Sequence, residues 1–535
     1  MNLLISFILS FCSFSYEFLL IKISSEIIGD SFLWRSFIIG FFIVGLGLGA
    51  YVIDKNKYSM KRTEQLLKNE FNLIILAIFS PLILFLTDIL SNIIYYYERY
   101  LYSDHLHDMI FLKENLFLHK IFFFSILIFI TLLIGYFTGK ELPLLINNEN
   151  ELKTDKFLFF NYLGSLFSSV IMTFFIFNGE ITSEKGFLII ACINLIVLFV
   201  LKFKSIFKIL LILSLMIVTL IITPKIKKVF LYQKYHQSYM NIWEDFYDEN
   251  TTILEYNTPY QKIDFVLNDE EQILYLNGNF QFSIGNEKDY HETMVHLPFL
   301  LLNHKEKINV LLLGGGDGFL LRELFKYKNK FEITHVELDE DFLKFSEENE
   351  EIKKATNNSL KEKVFKRYFT DGFSYVKNTE QKYDLVLIDF PYPYSYDLAK
   401  LYSKEFYASI KNILSKDGIA IMDIPLFRYI KLKQLYNSKR LEEINNILYS
   451  TIFSIFKNKS LFFKVNEEGF VLLSNDKLLD KEYISNLPLK DSLSSFKIKS
   501  LKFIKNQGFN FKYDEKLINS IYKPSIREFK SQHQK

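Results

Sequence analysis

The chain has 535 residues, a formal net charge of +2 and two cysteines, Cys12 and Cys192. That length allows several domains. The near-neutral balance gives no electrostatic case for nucleic acid, and two cysteines in apolar runs imply neither a disulfide framework nor a thiolate metal site.

Half of the residues are hydrophobic, but they are unevenly spread: apolar runs fill the chain to about Thr223, and charges recur every few positions beyond it. A crossing of the hydrocarbon core takes about 20 mostly apolar residues. Seven runs qualify in outline: Leu3–Ile23, Leu33–Val52, Leu73–Ile94, Ile121–Phe137, Phe157–Phe177, Gly186–Leu201 and Ile206–Ile222. They predict a transmembrane α-helical bundle over 1–223, in contact with membrane lipid, and a multi-pass protein of the cell membrane. The first run lacks a basic leader and a small-residue cleavage site and carries Glu17, so it reads as a retained span. Lys55, Lys57, Lys61, Arg62 and Lys68 place the loop after the second run in the cytosol. Seven alternating crossings would then bring the rest of the chain out on the other side. Lys225, Lys227 and Lys228, and a chemistry that needs cytosolic substrates, argue for a cytosolic C-terminal domain, and that is the placement expected. Glu17, Lys22 and Arg35 read equally as functional groups or as interhelical pairs and snorkelling ends. Gly40, Gly45, Gly47 and Gly49 suggest close helix packing, and a break is expected at Pro143.

A linker over 224–250 leads to short strands at Thr251–Tyr256, Gln261–Leu267, Ile273–Leu276 and Asn279–Ser283, a small antiparallel β unit within 251–300. Strand and helix then alternate over 301–475: strands at Ile308–Leu313, Ile333–Leu338, Val364–Phe369, Asp384–Ile388 and Gly418–Ile424, helices between them, and a closing pair at Leu461–Val465 and Gly469–Leu473. That order predicts an α/β Rossmann-like domain of the class I methyltransferase type, its crevice at the carboxyl ends of the strands. Residues 476–535 form a C-terminal extension.

Gly314-Gly315-Gly316-Asp317-Gly318 follows the first of these strands, where a Gly-rich turn lets a ligand approach the backbone. Glu337 ends the next strand at the spacing that binds ribose hydroxyls. Asp371-Gly372 follows the third strand, beside an adenine position, and Asp389 ends the fourth. No Lys or Arg sits in the Gly turn and an Asp does, which disfavours a phosphate ligand. A cationic adenosyl compound fits, either S-adenosylmethionine or its decarboxylated form.

These residues resemble the spermidine synthase family from about Tyr260 to Ser474. Thr258-Pro259-Tyr260-Gln261, Leu276-Asn277-Gly278-Asn279-Phe280-Gln281, Tyr290-His291-Glu292-Thr293-Met294, Leu313–Gly318, Val336–Asp339, Asp371–Phe373, Ile388–Pro393 and Leu401–Tyr407 match family segments in order. A multi-span N-terminal domain also resembles the family's long bacterial form. The resemblance implies an enzyme of polyamine (spermidine) biosynthesis, a transferase moving an aminopropyl group from decarboxylated S-adenosylmethionine to an acceptor such as putrescine. Spermidine and 5′-methylthioadenosine would be its products. Gln261 and Asp317 would hold the aminopropyl end, Gly314 and Gly316 would bind the donor with them, Glu337 the ribose, and Asp371 with Gly372 the adenine. Tyr290, His291 and Tyr392 would line the acceptor side, and Asp389 would be the general base. The donor is a co-substrate, so neither cofactor nor metal is implied. The family's habit of self-association extends to a homo-oligomer.

Three departures concern the acceptor. Tyr392 stands where the family has a second Asp, Asn277 replaces the Asp of the Leu-Asp-Gly strand, and Asn286 replaces the Asp before Glu287. Two other readings stay open: a membrane-bound S-adenosylmethionine-dependent methyltransferase, and a polyamine transporter or sensor with a non-catalytic synthase-like domain. His296 and His304 read as structural.

Overall fold

The computed structural model describes residues 2–28, 32–55, 62–102, 111–146, 154–174, 181–201, 203, 205–235, 250–269, 271–302, 304–327, 330–362, 366–393, 396–424, 438–466, 468–476, 479, 501–503 and 511–525. The chain divides into two compact units, chiefly 1–269 and 279–532.

The first unit begins with α1 (Asn2–Ile28), α2 (Phe32–Lys55), α3 (Arg62–Tyr102), α4 (Phe111–Gly139), the short α5 (Glu141–Ile146), α6 (Thr154–Met172), α7 (Ser183–Val200) and α8 (Ile206–Tyr235). Among the described residues each of the seven apolar runs overlaps one of seven long helices, and the end of the fifth run, 175–177, lies outside the described residues. Six helices among the described residues have the length and apolarity to cross a membrane. The exception among the long ones is α6, diluted by Asp155, Lys156, Asn161 and three serines. Those serines meet α1: Ser165 lies 2.7 Å from Ser10, Ser168 lies 2.9 Å from Ser15, and Ser6 donates to the Phe157 carbonyl at 3.3 Å. Positions rise together along both helices, so α1 and α6 run parallel. By the same test α7 is antiparallel to α1, through Ser183–Glu26 and Asn194–Tyr16, and α8 is parallel to α3, through Lys208–Phe71 and Phe230–Phe85. The outer faces stay apolar: Ile43, Phe129, Leu166, Ile196 and Leu220 are all exposed.

The expected close packing belongs to Gly45 and Gly49 alone. A methyl group on either would stand 2.6 Å from the Leu132 carbonyl or 2.2 Å from the Tyr136 carbonyl of α4, whereas Gly40 and Gly47 face nothing within 4 Å. On α4, Gly135 and Gly139 answer at the same four-residue spacing, so the backbones touch through glycines on both sides. The helix break comes at Gly139 and Lys140, ahead of Pro143, which sits harmlessly in the first turn of α5.

The last helix continues through Pro224 to Tyr235, into the stretch expected as a linker. Its end carries an ion network centred on the buried Lys227. Lys227 Nζ lies 3.1 Å from Glu255 and 3.7 Å from both Glu26 and Glu184. Lys262 lies 2.8 Å from Glu255 and 2.9 Å from Asp264, which also accepts the Tyr235 hydroxyl. This network ties α1, α7 and α8 to β1 (Thr252–Asn257) and β2 (Lys262–Leu267), an antiparallel ladder.

β3 (Gln272–Leu276) and β4 (Asn279–Ser283) lead to α9 (Lys288–Leu302), which opens the helical layers of the second unit. There follow β5 (Ile308–Gly314), α10 (Phe319–Phe325), β6 (Phe331–Glu337), α11 (Glu340–Glu348), α12 (Glu350–Ala355), β7 (Lys366–Phe369), α13 (Gly372–Asn378), β8 (Tyr383–Asp389), α14 (Tyr396–Ala399), α15 (Lys404–Ile413), β9 (Leu414–Ile424), α16 (Ser438–Phe456), β10 (Ser460–Val465), β11 (Glu468–Ser474) and β12 (Leu501–Phe503). The sheet order is β12-β10-β11-β9-β8-β5-β6-β7. The five strands from β9 to β7 are parallel; β11 joins β9 antiparallel, and β10 and β12 continue in that sense. Side chains alternate as strand geometry requires. Leu311, Leu313, Val386, Ile388 and Met422 pack under α13, α15 and α16, while Val310, Leu312, Leu385, Leu387 and Ile421 pack under α9 and α10. β5 has β6 on one side and β8 on the other, the switch point where such sheets bind ligands.

Candidate active site

The turn after β5 is shaped by what lies against it. Gly314 has φ +80°, and a Cβ there would sit 2.0 Å from the Asp389 carbonyl. A Cβ on Gly316 would meet the Glu337 carboxylate at 2.8 Å. His335, buried on β6, donates from Nε2 to the Gly314 carbonyl at 2.8 Å. Burial and then the Arg367 charge push its pKa down to about 3, so the ring is a neutral brace for the turn.

Four acidic side chains, those of Asp317, Glu337, Asp371 and Asp389, lie at the carboxyl ends of the strands. Glu337 Oε1 accepts the Leu338 and Asp339 amides at 2.8 and 3.0 Å, and burial lifts its pKa to about 7. Asp317 accepts the Phe319 amide at 2.9 Å; burial lifts it to about 6, helped by Asp389 and opposed by His291. Asp371 caps α13 through the Ser374 amide at 2.8 Å and meets Lys400 at 2.9 Å. Burial works upward on it, but these partners hold its pKa below the usual range. Asp389 accepts the Tyr290 hydroxyl at 2.7 Å, and burial raises its pKa although His291 opposes.

His291, Asp317 and Asp389 converge: their ligand atoms all lie within 4.8 Å of one another, close enough to hold one cation. His291 is itself held. Its Nδ1 meets the Glu287 carboxylate at 2.8 Å, its ring stacks on Phe319, and Arg322 grips both Glu287 oxygens at 2.9 Å. Burial would lower the His291 pKa, yet Glu287 and the two aspartates leave it raised. The Glu287–Arg322 brace and His335 carry no motif in sequence; they emerge only when α9, α10 and β6 pack. Tyr392 packs on the core beside Phe390, and the Tyr402 hydroxyl donates to the Pro391 carbonyl at 3.1 Å, bracing the segment after the base. Gly372 lies under the Phe390 ring, where a Cβ would come within 2.9 Å. Gln261 lies in the first unit, in the Thr258–Gln261 turn, where its amide donates to Thr258 Oγ1 at 3.0 Å. Asn277 is in the left-handed region at φ +51° and accepts the Lys262 amide at 2.9 Å, a turn-forming task that Asn performs well. His296 is structural, bridging Tyr327 and Glu323 at 2.8 Å each.

Residues 287–487 match the family model for the spermine/spermidine synthase domain. A polyamine aminopropyltransferase of Leptospira interrogans is 31% identical over 412 residues, covering 75% of this chain and 74% of that protein. Another, of Oceanobacillus iheyensis, is 29% identical over 415 residues, covering 75% of this chain and 72% of its own length. A solved spermidine synthase from Thermotoga maritima shares 20% identity over 46% of this chain and 82% of its own, at a TM-score of 0.37, a likeness too slight to bear weight.

Proposed function

The chain belongs to the polyamine aminopropyltransferase family, and from that premise we propose how its site works. The activity is transfer of an aminopropyl group from decarboxylated S-adenosylmethionine to a polyamine-type amine. The observation that carries the residue roles is the convergence of His291, Asp317 and Asp389 within 4.8 Å at the carboxyl edge.

Glu337 accepts the ribose hydroxyls, and Asp371 with Gly372 flanks the adenine. Asp317 receives the ammonium of the aminopropyl arm, which brings the sulfonium-bound carbon toward Asp389. The acceptor nitrogen attacks that carbon; the N–C bond forms as the C–S bond breaks. The electron pair goes to sulfur, leaving neutral 5′-methylthioadenosine. The proton released from nitrogen passes to Asp389, oriented by the Tyr290 hydroxyl. Alkyl amines are protonated near neutral pH, so a base in contact with the nucleophile helps, and alignment supplies the rest. His291 keeps the two aspartates from repelling one another. The cation between them is the donor's ammonium, so chelators should leave turnover unchanged. Asp317 should also discriminate between donors. Decarboxylated S-adenosylmethionine should bind at least tenfold more tightly than S-adenosylmethionine, whose carboxylate would face it. Equal affinity, with methylation of the amine, would favour the methyltransferase reading.

The helical unit we propose to be membrane-embedded, supported by six long apolar helices and by their exposed apolar faces. The catalytic unit is placed on the cytosolic side, where such donors are made and used. A second reading has its own support. α2 and α4 meet in rising order through Gly45–Leu132 and Gly49–Tyr136, Asn69 near the start of α3 donates to the Phe137 carbonyl near the end of α4, and Lys227 of α8 meets Glu26 at the end of α1. α1, α3, α6 and α8 therefore run one way and α2, α4 and α7 the other, and the end of α8 lies opposite the start of α3. Arg62 and Lys68 near the start of α3, with Lys140 and Lys208, put basic residues on that opposite side, and the positive-inside rule read from them turns the catalytic unit outward.

A further inference from the structure

Neighbouring parallel strands each deliver an acid to the carboxyl edge of the second unit. In spatial order these are Asp371 after β7, Glu337 on β6, Asp317 after β5, Asp389 on β8 and Asp423 on β9. The first four have tasks in the reaction above. Asp423 has none, and no motif singles it out.

Its position is fixed by the ladder. Ile388 pairs with Met422, so Asp389 and Asp423 follow side by side. In-register residues on parallel neighbours point to the same face, here the face opposite Ile388 and Met422, which pack under α13, α15 and α16. Strands lie about 4.8 Å apart, which puts Asp423 one strand beyond the base, on the side away from the donor. It is 6% exposed. It lies near enough to raise both the Tyr290 phenol, after burial and Asp389, and the Tyr402 phenol, after burial.

The acceptor end lacks the acidic residue expected at Tyr392. We propose that Asp423 supplies that missing charge: it binds the distal ammonium of a short α,ω-diamine whose other nitrogen is held at Asp389. The proposal rests on the aminopropyl-transfer activity and names its acceptor class. A diamine lying across β8 and β9 presents one neutral nitrogen to the donor carbon and one ammonium to a carboxylate about one strand spacing away. A monoamine of the same length offers Asp423 nothing, and a neutral Tyr392 cannot tell the two apart.

The test uses the full-length protein in detergent, with putrescine and n-butylamine as acceptors and methylthioadenosine release as readout. Wild type should prefer the diamine in kcat/KM. Asp423→Asn should cut that preference by about 10- to 100-fold, mostly through KM, as expected for losing a hydrogen bond to a charged group. Asp423→Glu, which keeps the charge, should retain part of it. The double variant Tyr392→Asp/Asp423→Asn should regain it. A preference unchanged by Asp423→Asn, or an Asp423→Glu variant as indifferent as Asp423→Asn, overturns the proposal. Wild type that releases no methylthioadenosine with any amine is a distinct result: it removes the activity, and the proposal with it.

Discussion

At the residue scale the site depends on keeping carboxyl groups buried yet available. Asp389 is pushed up by burial, which suits a base that must first be ionised and then take a proton. Asp389→Asn should lower kcat by about 100- to 10,000-fold while donor affinity, read by calorimetry, stays within a few fold. A transporter or sensor would show unaltered function with that variant and no turnover in wild type. Asp317, at about 6 in the free protein, predicts a pH dependence. A cationic donor binds the carboxylate form, so affinity should rise as pH rises through about 6 and fall below it. Glu337, at about 7, adds in the same direction because the ionised form accepts ribose hydroxyls. Asp317→Asn should remove the lower inflection and leave the upper one. These four acids were legible in the sequence because each ends or follows a strand at a recognisable spacing. Glu287, Arg322 and His335 were not, since their partners come from elements 21 to 35 residues away and meet only in the packed fold.

At the element scale, the Gly turn after β5 and the end of α8 are the most constrained pieces. Gly314→Ala combines a left-handed φ with a Cβ 2.0 Å from the Asp389 carbonyl. It should displace β8 from β5 and abolish donor binding, with a fall in thermal midpoint in the same sample. Lys227, itself buried, is the hub of three carboxylates, those of Glu26, Glu184 and Glu255. Removing one partner of a buried pair leaves uncompensated charge and costs about 3–5 kcal/mol, so Lys227→Met should markedly lower the midpoint of the full chain. The alternation of strand and helix from β5 to β11 could be read from apolar runs and turn residues. The extension of α8 to Tyr235 could not, because Pro224 and the lysines after it look like an exit from a helix, and only the network with Glu26, Glu184 and Glu255 makes one of them, Lys227, interior. Four small residues on α2 looked alike in sequence; α4 meets two of them, Gly45 and Gly49, on one face.

At the scale of the whole molecule, a helical unit precedes the enzyme, and the direction of its helices sets the side on which the last one ends. Labelling of single cysteines placed at Ser59, in the α2–α3 loop, and at Gln237, beyond α8, by a membrane-impermeant maleimide on intact cells fixes the orientation. A cytosolic catalytic unit predicts labelling at 59 and none at 237; the reverse pattern supports the outward reading. The central claim is aminopropyl transfer, and the most direct measurement of it is chemical. Full-length protein is mixed with decarboxylated S-adenosylmethionine and putrescine, and both products are followed by mass spectrometry. The account predicts methylthioadenosine and aminopropylated amine in equal amounts, neither of them formed by Asp389→Asn. No methylthioadenosine with any amine offered, or methylthioadenosine without a matching aminopropylated product, would contradict it.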